Sequence, residues 1–388
     1  MNFKKITDLN LFGKRVLIRS DLNVPIKNGR MISDMRIRES LRTINFALNQ
    51  GAKVIVMSHL GNPIEGSFNK KYSLYPISKI LSQYIDFPIR FIKNYLNGIQ
   101  IIDNSKLILL ENVRFNIGEF KNDIFLSKKY ANLCDIYVMD AFATAHRIHA
   151  STYGVVNFVK KTCIGKLFLY EIKNLKNIFS GLIRPITVIL GGKKISTKLN
   201  ILDNLIKKVD YVILCGEISN VFISVKTCNF KLSSFYNKKM ILKIKKILSF
   251  KKVIIPVDVY VQKKNSQSYT LNNIFKKPIN QIGSKDQIVD LGPETIKKII
   301  RIIKITRTIL WNGPIGAYEN PCFRKGTKMI AESILNNKNI CSIVGGGGTI
   351  SSIELLNLKQ KFSYISTGGN ACLEFFINEN FPVIKLLK

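Results

Sequence analysis

Ten short, continuous apolar runs, many of them β-branched, each give way to Gly, Asn, Asp or His and then to a helical pattern. Runs of this kind are strands buried on both faces, and their alternation with helices is how a parallel, doubly wound sheet reads. In the first half they are Arg15 to Arg19, Lys53 to Met57, Lys106 to Leu110 and Asp135 to Met139. In the second half they are Ile186 to Leu190, Tyr211 to Leu214, Lys252 to Pro256, Thr308 to Trp311, Ile340 to Val344 and Phe362 to Ser366. Ten strands would make an unusually wide single sheet, so the sequence predicts two sheets in two domains, a division that 388 residues allow. The expected class is α/β, with two lobes, each a doubly wound, mostly parallel sheet flanked by helices. The divide is expected within Lys166 to Pro185, where a helical spacing (Leu167, Leu169, Ile172, Leu175, Ile178) ends at Ser180, Gly181 and Pro185 and reads as an interdomain helix. No tandem repeat and no low-complexity segment interrupts this rhythm.

The chain carries 60 Lys+Arg against 25 Asp+Glu, a formal net charge of +35. By itself that balance fits nucleic acid, a membrane surface or a phosphorylated substrate. Ile, Lys and Asn are abundant throughout, and dense clusters such as Lys243, Lys245 and Lys246 fit solvated helix faces, so the excess reads as compositional drift. Basic residues interleaved with aromatic ones, as in single-strand binding, do not appear. Seven cysteines with no C-x-x-C pair argue against a disulfide framework or a zinc knuckle and fit a reducing cytosol. Asp8, Asn10 and Lys14 interrupt any signal-like stretch, and no run of about 18 apolar residues occurs. Lys297 to Trp311, broken by Arg301, Lys304 and Arg307, reads as helix then strand. A cytoplasmic protein with no membrane partner is expected.

Ligands of open α/β sheets bind beyond the carboxyl ends of the strands. In the first half those ends carry Arg19-Ser-Asp21-Leu-Asn23, Ser58-His59-Leu-Gly61, Glu111-Asn112-Val-Arg114 and Asp140 through His146-Arg147-Ile-His149, with Arg36 in a neighbouring segment. Arginine forks suit carboxylate and phosphate, so a small, multiply anionic substrate is expected there. The H-x-x-H spacing of His146 and His149 lacks an evident third ligand and encloses Arg147, so no residue is assigned to a metal. In the second half the ends carry Gly191-Gly192-Lys193-Lys194, Lys198, Gly216, Asn312-Gly313-Pro314, Gly345 to Gly348, and Thr367-Gly368-Gly369. Glycine loops between strand and helix present N–H groups to phosphate, and four of them point to a nucleotide. Lys194 and Lys198, four apart, would share a helix face. Neither G-x-x-x-x-G-K-[ST] nor a complete G-x-G-x-x-G is present. An anion-binding half and a nucleotide-binding half together suggest phosphoryl transfer between two ligands.

Several stretches carry a family resemblance over nearly the whole length: K-R-V-L-I-R-S-D-L-N-V-P (14–25), R-I-R (36–38), M-S-H-L-G (57–61), L-E-N-V-R-F (110–115), D-A-F-A-T-A-H-R-I-H-A-S (140–151), L-G-G-K-K-I-S-T-K (190–198), D-L-G-P-E-T (290–295), L-W-N-G-P-I-G-A-Y-E (310–319) and S-T-G-G (366–369). The sequence resembles the phosphoglycerate kinases. That resemblance implies reversible transfer between 1,3-bisphosphoglycerate with ADP and 3-phosphoglycerate with ATP, as part of glycolysis, with Mg²⁺ accompanying the nucleotide and a monomeric enzyme. It implies that Asp21, Asn23, Arg36, His59, Gly61, Arg114 and Arg147 contact the triose. Lys198, Glu319, Gly345, Gly346, Gly347, Gly348 and Thr349 would belong to the nucleotide site, while Arg36, Lys194, Gly368 and Gly369 would serve the phosphoryl group in flight. The expected domains are 1–170, joined by a returning segment 375–388, for the triose, and 171–374 for the nucleotide.

Some positions depart from the family. Gly348 stands where the glycine loop has an aspartate that helps hold Mg²⁺, Asn62 replaces an arginine of the substrate patch, and Asn370 replaces the third glycine of S-T-G-G-G. Cys215 and Glu217 occupy usual glycine positions, Lys193 replaces a small residue and Ala143 a glycine. These bear on rate and nucleotide affinity rather than on the fold. The alternative reading, from another class, is a catalytically weakened kinase fold retained as a basic nucleic-acid-binding protein.

Overall fold

The computed structural model describes residues 3–27, 30–99, 106–192, 195–228, 237–263 and 273–387. Two units divide the chain, one formed by Met1–Asn177 with Glu374–Lys388 and the other by Ile178–Leu373. In the first unit the chain runs through β1 (Arg15–Arg19), β2 (Ile26–Lys27), β3 (Arg30–Met31), α1 (Met35–Asn49), β4 (Lys53–Met57), α2 (Tyr75–Leu81), β5 (Ile89–Ile92), β6 (Leu107–Leu110), α3 (Ile124–Ala131), β7 (Ile136–Met139), β8 (Lys161–Ile164) and α4 (Lys166–Ser180). Its main sheet has the order β5-β6-β4-β1-β7-β8, with every pair parallel. Successive strand side chains point to opposite faces, yet Val16, Leu17 and Ile18 are all fully buried, because helices cover both sides. On α1 the buried positions Ile37, Ser40, Thr43, Ile44, Ala47 and Leu48 follow the helical period and form the stripe that meets the sheet.

The helix that leaves this unit is rooted by two side chains. At the N-terminus of α4, Thr43 Oγ1 accepts from Lys166 N at 2.9 Å and Asp140 Oδ1 accepts from Phe168 N at 3.1 Å. These bonds satisfy amides that a helix start leaves without partners. A side chain at Gly165 would overlap the Asp140 carboxylate, so the cap requires glycine there. Burial pushes the Asp140 carboxyl up to about 7, against bonds from Thr43, Phe168 and Leu167 that lower it. An unfolded aspartate ionises near about 3.9, so between about pH 4 and pH 7 the folded chain keeps a proton that the unfolded chain has lost. The contribution is therefore full below about pH 4 and is lost as pH rises through about 7. Asp140→Asn removes this slope. Urea melts from about pH 4.5 to 7.5 should show the wild type losing about 3 kcal/mol relative to the variant as pH rises. Parallel stability curves would refute the assignment.

The last residues return to the first unit. Phe142 packs edge-on against Phe168 (ring centroids 5.9 Å) and Phe375 (5.6 Å) and lies tilted on Phe381 (5.9 Å), while Lys176 pairs with Glu379 at 3.4 Å.

In the second unit follow β9 (Ile186–Leu190), α5 (Ile195–Lys208), β10 (Tyr211–Leu214), α6 (Gly216–Thr227), α7 (Lys238–Leu248), β11 (Val253–Ile254), β12 (Asp258–Lys263), β13 (Ile274–Pro278), β14 (Asp286–Leu291), α8 (Pro293–Ile305), β15 (Thr308–Asn312), α9 (Lys325–Asn336), β16 (Cys341–Gly345), α10 (Gly347–Glu354), β17 (Tyr364–Ser366), α11 (Asn370–Ile377) and α12 (Pro382–Leu386), the last lying in the first unit. The main sheet is parallel in the order β11-β10-β9-β15-β16-β17. Counted along the main sheet's strands this is 3-2-1-4-5-6, the order of a doubly wound nucleotide-binding sheet, whose switch point falls between β9 and β15. The all-parallel α/β architecture expected from the apolar runs is present in both sheets. Seven strands were not foreseen: the short antiparallel pair β2-β3, the edge strands β5 and β8, and the antiparallel trio β13-β12-β14. The run Lys252 to Pro256 shortens to the two-residue β11.

Candidate active site

Strands β6, β4, β1 and β7 are neighbours in one parallel sheet, so the loops at their carboxyl ends leave it at a single edge. These loops carry the expected triose residues. Asn23 stitches two of them together, its side-chain oxygen accepting from Gly61 N at 2.9 Å and its carbonyl from Arg36 Nη1 at 3.0 Å. Arg36 also pairs with the buried Asp21 carboxylate at 2.9 Å. Gly61 has φ +61°, and a side chain there would overlap the Tyr72 ring. Asn112 fixes the same turn by donating to Leu60 O (2.8 Å) and Tyr72 O (2.9 Å). Arg114 donates to the carbonyl of Gly61 and to Asn62 Oδ1, and its guanidinium lies 5.1 Å from the Phe120 ring centroid. Asn62, where the family resemblance has an arginine, thus serves Arg114 as an acceptor.

Cations crowd this buried edge. Burial, with Arg147 and Arg19 nearby, brings the Arg114 guanidinium down to about 9, and burial also lowers Arg147. Arg114 Nε is a buried donor with no partner among the described residues. His59 is 3% exposed, and burial followed by Arg114, Arg19, Arg147 and Arg36 holds its imidazole well below the ordinary value. A bound polyanion would relieve these penalties by supplying the missing charge and acceptors. His146 Nε2 accepts from Arg147 Nε at 3.1 Å, and His149 stands 3.9 Å from Glu119 and edge-on to Phe120; burial brings each imidazole to about 3. The H-x-x-H pair is thus engaged locally. Among the described residues no group of three His, Cys, Asp or Glu side chains is arranged to hold a metal ion.

In the second unit the glycine loops lie at the carboxyl ends of β9, β15, β16 and β17. At the switch point the β9 and β15 loops touch backbone to backbone: a side chain on Gly191 would overlap the Pro314 carbonyl, and one on Gly313 (φ +105°) would overlap Gly191 O. Lys198, from α5, is buried and donates to Gly191 O and Asn312 O, and burial lowers its ammonium to about 8. Thr349, fully buried, accepts from Gly313 N at 2.6 Å, tying the β15 loop to the start of α10. Gly346 has φ +95°, and a Cβ at Gly347 would meet nothing within 4 Å, so the loop is open beside a helix N-terminus. Such a cradle fits nucleotide phosphates. Gly345 closes β16, and Gly348 follows Gly347 in α10 without bringing a carboxylate. Gly368 N donates to Ser366 Oγ at 3.0 Å, and Gly369 O accepts from Asn312 Nδ2 at 2.9 Å. Glu319 is exposed after β15. Lys194 and Lys193 lie outside the described residues.

A family profile described as phosphoglycerate kinase matches residues 6–379. The phosphoglycerate kinase of Buchnera aphidicola subsp. Schizaphis graminum (strain Sg) is 48% identical over 390 residues, covering 100% of this chain and 99% of its own. The chain belongs to the phosphoglycerate kinase family. The enzyme of that name from Buchnera aphidicola subsp. Acyrthosiphon pisum (strain APS) is 48% identical over 393 residues, covering 100% of this chain and 98% of the relative. Among solved structures, phosphoglycerate kinase from Coxiella burnetii matches with TM-score 0.73 at 38% identity, covering 100% of this chain and 99% of that one. The enzyme from Pyrococcus horikoshii OT3 matches with TM-score 0.82 at 29% identity, covering 99% and 98%. As a phosphoglycerate kinase family member the chain is a phosphotransferase with a carboxyl acceptor, and the nucleic-acid-binding alternative finds no support. The family's nucleotides are ATP and ADP, and its triose substrates are 3-phosphoglycerate and 1,3-bisphosphoglycerate. No helix among the described residues is long and apolar enough to cross a membrane.

Three residues at this sheet edge had no assigned role in the sequence reading. Arg19, Ser151 and Glu119 are all within 1% of full burial and bond to one another beneath His59. Arg19 and Ser151 lie within the matched motifs, but Glu119 does not, and nothing in its spacing betrays it.

Proposed function

We propose that the first unit binds the triose through Asp21, Asn23, Arg36, His59, Gly61, Arg114 and Arg147. In the same reading the second unit binds the nucleotide through Lys198, Glu319, Gly345 to Gly348 and Thr349. The observation that carries this reading is the excess of buried guanidinium charge at one sheet edge, which a carboxylate-phosphate ligand would neutralise. The acceptor is already an anion near neutral pH, so no strong base is needed. A carboxylate oxygen of 3-phosphoglycerate attacks the γ-phosphorus in line as the bond to the bridging oxygen breaks, and ADP leaves. Arg36 stabilises the charge in flight, with Lys194, Gly368 and Gly369 taking the roles that the family resemblance gives them. Single-turnover transfer from ATP with a chiral γ-phosphorus should invert configuration; retention would mean a covalent enzyme intermediate and would sink the direct route.

Among the described residues no group of three His, Cys, Asp or Glu side chains is arranged to hold a metal ion, and in this reading Mg²⁺ comes with the Mg·ATP substrate. An ideal Cβ at Gly348 would lie 3.1 Å from Pro314 Cδ and 3.8 Å from the Tyr318 hydroxyl, so an aspartate fits if the proline ring gives by a few tenths of an ångström. Gly348→Asp should raise activity about 10-fold and lower the Mg²⁺ requirement, read from titrations of Mg²⁺ with 3-phosphoglycerate saturating. No change at any concentration would remove position 348 from metal handling. The same reading makes the enzyme a cytoplasmic monomer with no specific nucleic-acid or membrane partner. Its seven cysteines are all unpaired, in keeping with a reducing compartment.

A further inference from the structure

We infer that Arg19 is a positioning residue which, braced by Ser151 and Glu119, locks His59 as a neutral imidazole with its proton on Nε2. Arg19 sits at the end of β1 with 1% exposure, and its guanidinium makes three contacts. Nε donates to Ser151 Oγ at 3.0 Å, Nη1 donates to Ser20 O at 2.6 Å, and Nη2 stands 3.3 Å from His59 Nδ1. A guanidinium has five donors and no acceptor. Nδ1 must therefore offer its lone pair, which leaves the ring proton on Nε2.

The guanidinium is held from behind. Ser151 Oγ, having accepted from Arg19, donates to Glu119 Oε1 at 2.6 Å, and Ser151 N donates to Glu119 Oε2 at 3.0 Å. Ser151 O accepts from the Tyr137 hydroxyl at 2.9 Å, so the backbone and hydroxyl of this residue are both fixed. Glu119 is fully buried beneath a group of cations. Burial pushes its carboxyl up, and Arg19, then the bonds from Ser151, then Arg114 pull it back, so positive charge is what compensates a carboxylate here. The chain Glu119–Ser151–Arg19–His59 joins β1, the β4 loop, the loop after Arg114 and the loop after β7, each from a different part of the sequence. Its chemical consequence is a neutral N–H donor for a substrate oxygen, at a place where a second cation would only add to the repulsion among the arginines.

This inference rests on the proposed triose site for its purpose but not for its test, which reads the free protein. With ¹⁵N-histidine labelling and only three histidines, His59→Gln assigns the His59 signals. Wild-type spectra should show Nε2 protonated and Nδ1 bare from about pH 6 to 8, the range that brackets an ordinary imidazole. A proton on Nδ1, or a doubly protonated ring, overturns the inference whatever happens to activity. Ser151→Ala and Arg19→Lys, compared as folded proteins, should mix the two tautomers and raise KM for 3-phosphoglycerate about 10-fold while leaving KM for ATP unchanged. An unaltered single tautomer in both variants would equally overturn it. If the tautomer is as stated but KM for the triose does not move, the lock stands and the proposed role of His59 in binding the triose fails.

Discussion

Arg36→Ala should lower turnover on the order of 100-fold or more, with a smaller change in KM for 3-phosphoglycerate. The guanidinium is aimed before substrate arrives, by the 2.9 Å pair with Asp21 and the 3.0 Å bond to Asn23 O. Such preorganisation is valuable only for charge that develops during transfer, because a group that served the ground state equally would alter KM instead. Arg36→Lys separates charge from geometry: a lysine keeps the cation but lacks the fork that reaches two partners. It should recover part of the loss. Steady-state kinetics of both variants decide the matter, and an unchanged turnover number with only a raised KM would refute the role.

Gly191→Ala should be among the most damaging small substitutions in the second unit. Its Cβ would overlap the carbonyl oxygen of Pro314 and lie 2.8 Å from Gly313 O. Both neighbours are backbone, so relief requires the β9 and β15 loops to part, at the expense of the bond from Gly191 N to Asn312 O. A loss of about 3 kcal/mol or more is expected, together with a fall of about 100-fold in ADP affinity. Gly347→Ala is the control, since its Cβ meets nothing within 4 Å, and it should melt close to the wild type. Equal melting and equal ADP binding for Gly191→Ala would mean that the switch-point loops are not held as described.

What the sequence made legible is what repeats along it. β1, β4, β9 and β10 fall at the residues expected because runs such as Val16-Leu17-Ile18 are buried on both faces and admit no polar interruption. β5 and β8 escaped notice because an edge strand has one neighbour and tolerates Arg90 or Lys161. In the antiparallel trio charged and amide residues bound apolar stretches of only two or three residues, as in Asp258-Val-Tyr-Val-Gln-Lys263, and a search for longer continuous runs passes over it. At the candidate site, Asp21, His59, Arg114 and Arg147 were accessible as residues just beyond strands. The support beneath them was not. Glu119 meets Ser151 across 32 residues and Arg19 meets Ser151 across 132, distances at which only tertiary structure brings partners together.

The return of Glu374–Lys388 to the first unit has a consequence for how the chain is made. A ribosome finishes Asn177 with the Phe142 ring still lacking Phe375 and Phe381, and about 200 residues must follow before they emerge. At about 5–20 residues per second that is an interval of roughly 10–40 s. The nascent first unit spends it with apolar surface open to chaperones and to aggregation. The unit begun second is thus the one whose residues are all available first, and loss of Glu374–Lys388 would strip packing from the half of the enzyme encoded before it.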